Sequence, residues 1–544
     1  MKVLVIGGVA AGTKAAAKLK RENRDAEVRI LTKSEEISYA GCGLPYYVGD
    51  LIETREQLIV NTPAKFAKLT GAAVETGMEA VAVDKTKKTV TAKNVKTGEE
   101  KEYSYDKLVI STGASPIKPP ISGIDLEQVY YMRTPDDAQA LKDAVAAGKI
   151  KRAVVAGGGF IGLEVAENLS SHNIKTTIID MAPQILPGFD PEVAEYVENY
   201  LGDKGIIALT DTKLEEILGE GTVSKVKTNK RTIKADAVIL SLGIRPNTDF
   251  LQGSGIELTP NKTVKVDDHM RTNDKDIYAM GDCAMVTNRI TKKEAWSPMG
   301  SSANIEGRLA ARNINGGDCA YPGVLGTGIV KLPGLNAGRT GLSETAAKEA
   351  GFDPISVVTV VDDKAHYYPG AGNFLVKMVA DQTSGKFLGL QCLGAGAVDK
   401  MIDIAVMALS LNASISDMEH LDFAYAPPFS TAIHPFVHTV NILLNKMSGE
   451  FETFTPAQFA AGEAKEYKII DAAMAPSIEG APFVNLTDVE GPVDGLGKDE
   501  KLLLVCTKGK RAYLLQNRLK YYGYTNTRVL EGGEMFNKYQ LEDK

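Results

Sequence analysis

The stretch SYAGCGLPYY, residues 38–47, places a single cysteine, Cys42, between two glycines. The chain has five cysteines, and none of the other four lies close to Cys42 in sequence. A lone thiolate can attack an external disulfide, release one thiol and keep the other as a mixed disulfide. Because no neighbouring thiol resolves that bond, the second thiol has to come from the substrate. The stretch predicts a nucleophilic redox cysteine; the alternative is a small buried cysteine without chemistry.

A second cysteine, Cys506, ends the apolar run LLLVC and begins a short turn that opens a helix. Such a turn directs several backbone N–H groups and the helix dipole at one point, which stabilises a thiolate or persulfide anion. Lys510 and Arg511 add positive charge. This pattern makes Cys506 a candidate reactive thiol, with a buried structural cysteine as the alternative. We interpret Cys283, Cys319 and Cys392 as structural.

Two glycine-rich turns, each between a strand and a helix, are the elements that would position nucleotides. In KVLVIGGVAAGTKAAAKLK, Gly7 and Gly12 fit the outer glycines of GxGxxG, with Val9 in the middle place. The helix N-terminus would offer N–H groups and a positive dipole end to a pyrophosphate. The next strand, EVRILT, ends at Thr32, where an acid that holds the ribose is usual. The segment predicts a dinucleotide site.

The second turn, in KRAVVAGGGFIGLEVAENL, has the full spacing Gly157, Gly159 and Gly162. The following strand, KTTIID, ends in Asp180. An acid there accepts hydrogen bonds from the adenosine 2′-hydroxyl and repels a 2′-phosphate. The segment therefore predicts NADH in preference to NADPH.

Two further segments, DKLVISTGASP and TNDKDIYAMGDCA, also join an apolar strand to a glycine-containing turn. Thr112, Gly113 and Asp282 are the candidate residues for a flavin, with Asp282 on a ribityl hydroxyl. Taken alone, each segment could be ordinary strand–loop punctuation. Four such elements in this order indicate two nucleotide-binding domains.

The overall composition limits the class of protein. A chain of 544 residues is long enough for several domains, and its net charge of −7 argues against nucleic acid as the main partner. No apolar run is long enough to cross a bilayer, and the N-terminus reads as a strand and not as a signal peptide. Scattered cysteines in an odd number suggest a reducing cytoplasm, and no metal is expected.

The order of these elements resembles the flavoprotein disulfide reductases over roughly residues 1–447. The CxxxxC pair usual in that superfamily is absent. The residues Ser38, Cys42, Gly43, Pro45 and Tyr46 match the SxxxCGxPY segment of its single-cysteine branch, most closely the coenzyme A-disulfide reductases and NADH-dependent persulfide reductases. Gly41 departs from the asparagine that is common before the cysteine.

This resemblance implies an α/β homodimer with FAD and NADH as cofactors. The implied domains are two Rossmann-like ones, FAD-binding (1–112 and 246–322) and NADH-binding with linking segments (113–245), followed by an α+β dimerisation domain (323–447) and a separate α/β C-terminal domain (448–544). In the family, tyrosines at the positions of Tyr367 and Tyr425 face the partner subunit's cysteine. A phenol there can donate a proton to a departing thiolate.

Coenzyme A, expected as substrate or bound ligand, carries phosphates that suit cations. The candidate substrate-binding residues are Ser38, Asn304 and Arg308 together with a basic group on or near the first helix, Lys14, Lys18, Lys20 and Arg21. The alternative for the basic group is a solvated helix face. His434 and His438 are four residues apart, the spacing of a metal pair on one face of a helix. His434 could also act as an acid or base, a role that we rank below that of the two tyrosines.

The C-terminal spacing Cys506, Gly509, Arg511 is CxxGxR and resembles the active loop of rhodanese domains. The arginine of the D-V-R turn usual in that family is absent, because the chain reads Asp471-Ala472-Ala473. A flexible link is expected near residues 446–454.

The resemblance implies an NADH-dependent flavoenzyme in which Cys42 cleaves a coenzyme A disulfide or persulfide, or a polysulfide, while Cys506 carries sulfane sulfur. Two alternatives remain open. One is an NADH oxidase or peroxidase that cycles Cys42 through a sulfenic acid. The other is a redox-sensing flavoprotein that signals through a partner.

Overall fold

The computed structural model describes residues 1–542. The described residues form two compact units. The first comprises residues 1–183 and 205–324, and the second comprises residues 184–204 and those from 325 onward. Both units mix helices and sheets, so the predicted α/β class is confirmed. Residues 184–204 lie inside the range predicted for the NADH domain, yet they belong to the second unit because their acidic side chains bind a lysine of its sheet.

The first unit begins with a five-stranded parallel sheet. Val3 and Val5 pack with the first helix on one face, and Leu4 and Ile6 pack on the other, as alternation along a strand requires. The strand order places the N-terminal strand in the middle, flanked by strands from distant parts of the chain: Ile277–Ala279, Lys107–Ile110, Lys2–Ile6, Glu27–Leu31, Ala73–Glu75.

A second five-stranded parallel sheet repeats this design around the second glycine turn. Its order is Ile207–Leu209, Lys175–Ile179, Arg152–Ala156, Ala237–Leu240, Val129–Tyr130. In both sheets the glycine turn follows the strand at the centre, so the carboxyl edge of each sheet leads directly into a helix N-terminus.

Smaller sheets and helices complete the first unit. Two three-stranded sheets are antiparallel, one with strands Met78–Asp84, Thr89–Asn94 and Glu100–Ser104, the other with strands Leu214–Leu218, Lys225–Thr228 and Thr232–Lys234. A two-stranded antiparallel sheet pairs Ala114–Pro116 with Ile244–Pro246. A mixed sheet contains Val264–Lys265, Ala284–Thr287 and Glu294–Ala295. The α-helices are Ala10–Glu22, Leu44–Val48, Arg55–Leu58, Pro63–Thr70, Pro135–Ala146, Phe160–Ser171 and Gly300–Ile314.

The second unit contains a five-stranded antiparallel sheet and a four-stranded parallel sheet. The strand order of the antiparallel sheet is Gly328–Leu332, Leu335–Gly341, Phe387–Gly394, Asn373–Asp381, Pro354–Asp362. The strand order of the parallel sheet is Thr453–Phe454, Thr527–Leu530, Leu502–Val505, Lys468–Asp471. The α-helices are Pro191–Asp203, Glu344–Glu349, Val398–Ser410, Pro435–Met447, Pro456–Ala460, Lys510–Tyr521 and Gly533–Glu542. No helix in the described part of the chain combines the length and apolarity that a membrane span needs.

The segment expected to be a flexible link is held in place, so that prediction was wrong. Lys446 donates to the Ser356 carbonyl at 2.7 Å. Phe451 is buried, and its ring lies 5.0 Å from the ring of Tyr513. The two sheets of the second unit are therefore joined by packed side chains.

Candidate active site

The first glycine turn has the geometry of a phosphate site. Gly7 has φ +110°, and a Cβ there would overlap the Ser111 carbonyl oxygen, while a Cβ at Gly12 would overlap the carbonyl oxygen of Gly7. No side chain caps the helix that begins at Ala10. Its first N–H groups are therefore available to an anion, which fits the pyrophosphate of a dinucleotide.

The second turn repeats this geometry. Gly157 has φ +114° and Gly162 lies against its carbonyl, whereas a Cβ at Gly159 would meet no atom within 4 Å. That open space lies at the uncapped start of the helix Phe160–Ser171. Asp180 accepts hydrogen bonds from the N–H groups of Gly158 at 2.7 Å and Ala182 at 2.8 Å, so its carboxylate is fixed beside the turn. This arrangement fits a second dinucleotide whose ribose reaches Asp180.

The second strand is followed by Thr32, at the place where an acid that binds the ribose is usual. Thr32 is buried, and a Cβ at Gly8 would lie 3.3 Å from its Cβ. The acids just beyond it are engaged elsewhere, since Glu35 pairs with Lys96 at 2.6 Å and Glu36 with Arg55 at 3.1 Å. Thr32 therefore lies beneath the first turn, where it supports Gly8.

The two candidate flavin turns meet at an arginine that the sequence did not reveal. Arg133 binds Asp282 at 2.9 Å, and a Cβ at Gly113 would lie 3.2 Å from the same guanidinium. The Thr112 hydroxyl donates to the Asn247 carbonyl at 2.7 Å. Arg133 thus joins segments of the chain that are about 150 positions apart in sequence. Gly113 and Asp282 thus meet at one guanidinium, with Thr112 adjacent to Gly113 in the chain, and the three stay candidates for a flavin site.

Cys42 lies in a single 3₁₀ turn, Gly41–Gly43, that leads into the helix Leu44–Val48. The residue is exposed, yet surrounding protein atoms desolvate its sulfur and raise the pKa of the thiol. The charges of Glu164 and Asp282 raise this pKa further, and Arg133 lowers it. Cys42 therefore stands among residues of both glycine-turn regions. Ser38, four residues before it, donates its N–H to the Gly8 carbonyl at 2.9 Å.

Glu164 is a second residue that the sequence did not single out. It follows the second glycine turn by one helical turn and accepts a hydrogen bond from the Tyr46 hydroxyl at 2.9 Å. Burial raises the pKa of Glu164 to about 7, against the effect of the Tyr46 hydrogen bond. An acid that titrates near neutrality next to Cys42 can exchange a proton during thiol chemistry.

We expect Glu164→Gln to lower the pKa of Cys42, because the substitution removes a negative charge that disfavours the thiolate. The variant should react faster with iodoacetamide at neutral pH than the unchanged protein does. Tyr46→Phe should lower the pKa of Cys42 in the same direction but less, since losing the hydroxyl raises the pKa of Glu164 and leaves its carboxyl more often neutral. Alkylation rates measured across pH 5 to 9 check the effects of both substitutions. Glu102→Gln is the control at an exposed position. Equal pH profiles for all variants would contradict the effect of Glu164 on the pKa of Cys42.

The candidate residues for a phosphorylated ligand lie on two helices that pack against each other. A Cβ at Gly307 would lie 2.5 Å from the Ala11 carbonyl oxygen and 3.2 Å from the Lys14 Cβ. Asn304 and Arg308 are exposed on one helix and Arg21 on the other. The ammonium of Lys18 pairs with Glu22 at 2.5 Å, and that of Lys20 donates to the Arg24 and Ala26 carbonyls. Arg21 and Arg308 are therefore better placed for an incoming anion than Lys18 and Lys20.

Tyr367 and Tyr425 lie together in the second unit. Both are exposed, at 66% and 49%, and a hydrogen bond between the Tyr425 hydroxyl and Tyr367 raises the pKa of Tyr425. Phe429 and Ile433 are exposed nearby in sequence. An exposed tyrosine pair beside apolar side chains is the arrangement expected of a surface that faces a second subunit.

The two histidines have local roles. His434 caps the helix Pro435–Met447, and its Nδ1 accepts the N–H of Phe436 at 3.2 Å. Burial lowers the pKa of His434 to about 4 and also lowers that of His438. A neutral His434 with one nitrogen occupied by the cap is a poor proton donor, and its Nδ1 is not free for a metal.

Cys506 occupies the loop geometry predicted for it. It follows the strand Leu502–Val505, and Gly509, with φ +91°, turns the chain into the helix Lys510–Tyr521. The Ala512 N–H donates to the Cys506 sulfur at 3.4 Å. A Cβ at Gly533 would overlap the Cys506 carbonyl oxygen, so this glycine is required for the loop to close.

Arg511 holds the neighbouring loop. Its guanidinium donates to the Ala472 carbonyl at 3.2 Å and to the Asn485 side chain at 2.9 Å. Asp471 is buried and accepts N–H groups of Ala473 and Ser477. Arg511 therefore braces the segment that lacks the usual arginine, a role that the sequence pattern alone did not indicate.

The described residues thus combine two glycine turns at helix N-termini, an exposed thiol at Cys42 and an exposed tyrosine pair. The family model of the pyridine nucleotide-disulphide oxidoreductases matches residues 1–300, and that of their dimerisation domain matches residues 329–436. The chain belongs to this family and is an FAD-dependent oxidoreductase.

Three known proteins are similar to this chain over most of its length. The chain is 32% identical to an NADH oxidase of Methanocaldococcus jannaschii, over 83% of this chain and 100% of that protein. It is 33% identical to an NAD(P)H coenzyme A polysulfide/persulfide reductase of Pyrococcus horikoshii, over 81% and 98%. The crystal structure of reduced Bacillus anthracis CoADR-RHD matches with a TM-score of 0.93 and 31% identity, over 100% of this chain and 98% of that one.

Proposed function

We propose that the chain reduces coenzyme A disulfide, coenzyme A persulfide or polysulfide with NADH, through a mixed disulfide on Cys42. The observation that carries this proposal is the position of Cys42, exposed beside Arg133, Asp282 and Glu164 and without a second cysteine in its segment. The names of the Pyrococcus and Bacillus relatives support the substrate class.

In the proposed reaction the Cys42 thiolate attacks one sulfur of the substrate. The S–S bond of the substrate breaks, a Cys42–S bond to one thiol forms, and the other thiolate leaves. When bound, FAD would supply an electron pair taken from NADH. That pair would cleave the mixed disulfide, so that the second thiol leaves as a thiolate and the Cys42 thiolate is restored. Glu164 holds or releases a proton near the sulfur, since its pKa of about 7 lets it do either at neutral pH.

The chain's own residues would also hold the ligands. Asp180 favours NADH because its carboxylate, fixed by two N–H groups, would repel a 2′-phosphate. Arg21, Asn304 and Arg308 would bind the phosphates of coenzyme A. In the proposed homodimer, Tyr367 and Tyr425 of the partner subunit would donate a proton to the departing thiolate.

The C-terminal module would act as a rhodanese-like sulfur carrier. Cys506 at a helix N-terminus, with a backbone N–H on its sulfur, can hold a persulfide after taking sulfane sulfur from a polysulfide. We expect Cys506→Ser to lose transfer of sulfane sulfur from thiosulfate to cyanide and to keep NADH-driven cleavage of coenzyme A disulfide. Both assays on one preparation check this; loss of both activities would contradict separate roles for the two thiols.

The Methanocaldococcus relative favours one alternative, an NADH oxidase that cycles Cys42 through a sulfenic acid. A redox-sensing flavoprotein is a further alternative. The test is NADH oxidation without oxygen and with coenzyme A disulfide, compared with NADH oxidation in air without it. Faster anaerobic turnover supports the proposal, turnover only in air supports the oxidase, and no turnover with either supports the sensor.

A further inference from the structure

The loop that follows Cys506 is tied to the edge strand Pro354–Asp362 of the antiparallel sheet in the same unit. The Lys508 ammonium binds the Asp362 carboxylate at 2.6 Å, and the two side chains are 35% and 33% exposed. Asp362 is the last residue of that strand. The ion pair therefore joins the Cys506 loop to the point where the strand ends.

A second connection runs from the other side of the loop to the same strand. Glu531 is buried, accepts the N–H of Val358 at 2.8 Å and pairs with Lys446 at 2.5 Å. The next residue, Gly532, lies close to Val358, since a Cβ there would be 3.4 Å from the valine side chain. Gly533 follows and packs on the Cys506 carbonyl. The Cys506 loop is thus held to the strand at two points.

The edge strand leads directly to the tyrosine pair. After Asp362 the chain forms a loop, residues 363–372, that carries Tyr367. The base of this loop is closed by Asp363, whose N–H donates to the Gly372 carbonyl at 3.0 Å and whose carboxylate accepts the Gly372 N–H at 2.8 Å. Lys508 therefore binds the residue immediately before the base of the loop.

We propose that Lys508 and Asp362 are positioning residues that couple the Cys506 loop to the tyrosine loop. Their ion pair fixes the base of residues 363–372, and with it the direction in which Tyr367 presents its hydroxyl. This inference rests on the proposed function, in which Tyr367 protonates a departing thiolate. The C-terminal module then has two roles: it carries sulfur, and it supports the proton donor of the Cys42 reaction.

Hydrogen exchange of the full-length protein tests the coupling without reference to activity. In Lys508→Met, we expect amides of residues 363–372 to exchange roughly two- to fivefold faster, because the base of the loop loses its ion pair. Lys520→Met is the matched control, since Lys520 pairs with Glu452 at 3.3 Å in the same module with similar exposure, 31% and 36%. Unchanged exchange in Lys508→Met, or an equal change in both variants, would overturn the proposal.

A charge exchange tests the consequence for catalysis. Lys508→Asp and Asp362→Lys, each alone, should lower kcat for coenzyme A disulfide several-fold and leave KM for NADH unchanged; the double variant should recover most of kcat. A double variant as slow as the singles would overturn the positioning role. If the unchanged protein does not reduce coenzyme A disulfide while exchange in Lys508→Met still rises, the proposed function fails and the coupling stands.

Discussion

Cys42→Ser should reduce NADH-driven cleavage of coenzyme A disulfide by on the order of a thousandfold or more. The serine hydroxyl is not ionised at neutral pH and cannot hold the released thiol as a mixed disulfide. Binding of FAD and NADH should persist, because both glycine turns are unchanged. Steady-state NADH oxidation without oxygen, together with the flavin absorbance of the variant, measures these two properties separately.

Cys319→Ser is the matched control for that experiment. Cys319 is partly exposed. Its N–H donates to the Asn313 side chain at 2.8 Å, and its carbonyl accepts from the same side chain at 2.9 Å. We expect this variant to keep full activity. If Cys42→Ser retained turnover comparable to Cys319→Ser, the nucleophile would have to be a different group.

The second large effect is on stability, at a lysine buried in the antiparallel sheet. Lys377 is 3% exposed and contacts three acids, Asp190 at 3.1 Å, Glu192 at 2.5 Å and Glu344 at 2.8 Å. Burial by itself would lower the pKa of Lys377, but these carboxylates outweigh it and raise the pKa, so the lysine stays charged. The lysine holds the segment 184–204 to the sheet.

Lys377→Met should destabilise the second unit by about 3–5 kcal/mol, because Asp190 and Glu192 would remain buried without a cation. Thermal unfolding followed by circular dichroism measures the loss, and Lys348→Met, at an exposed position of the neighbouring helix, should change little. Lys377→Met combined with Glu192→Gln should recover part of the stability, because one buried charge is removed. A melting temperature of Lys377→Met equal to that of the control would contradict this account.

Local sequence patterns were sufficient to predict the parts of the fold that local geometry determines. A strand, a glycine turn and a helix occur together around Gly7 and again around Gly157, since each glycine permits a backbone approach that any Cβ would block. The loop after Cys506 was predicted from an apolar strand, a short turn and a helix that follow one another in the chain, and Gly509 there has φ +91°. In these cases the residues that make the site are near neighbours in the chain.

The residues that the sequence did not reveal act through distant partners. Arg133 belongs to the site through its ion pair with Asp282, and Glu164 through its hydrogen bond from the Tyr46 hydroxyl. The segment near residue 450 looked like a linker because its packing partners lie far away, with Phe451 on Tyr513. Such contacts depend on tertiary structure, which spacing in one sequence does not encode.

The most direct test of the central claim is the intact mass of the purified protein before and after NADH. The account predicts that part of the chain carries the mass of one coenzyme A thiol on Cys42, which peptide mapping would locate, and that NADH removes it. A gain of one oxygen atom on Cys42, or no adduct there after incubation with coenzyme A disulfide, would contradict the mixed-disulfide mechanism.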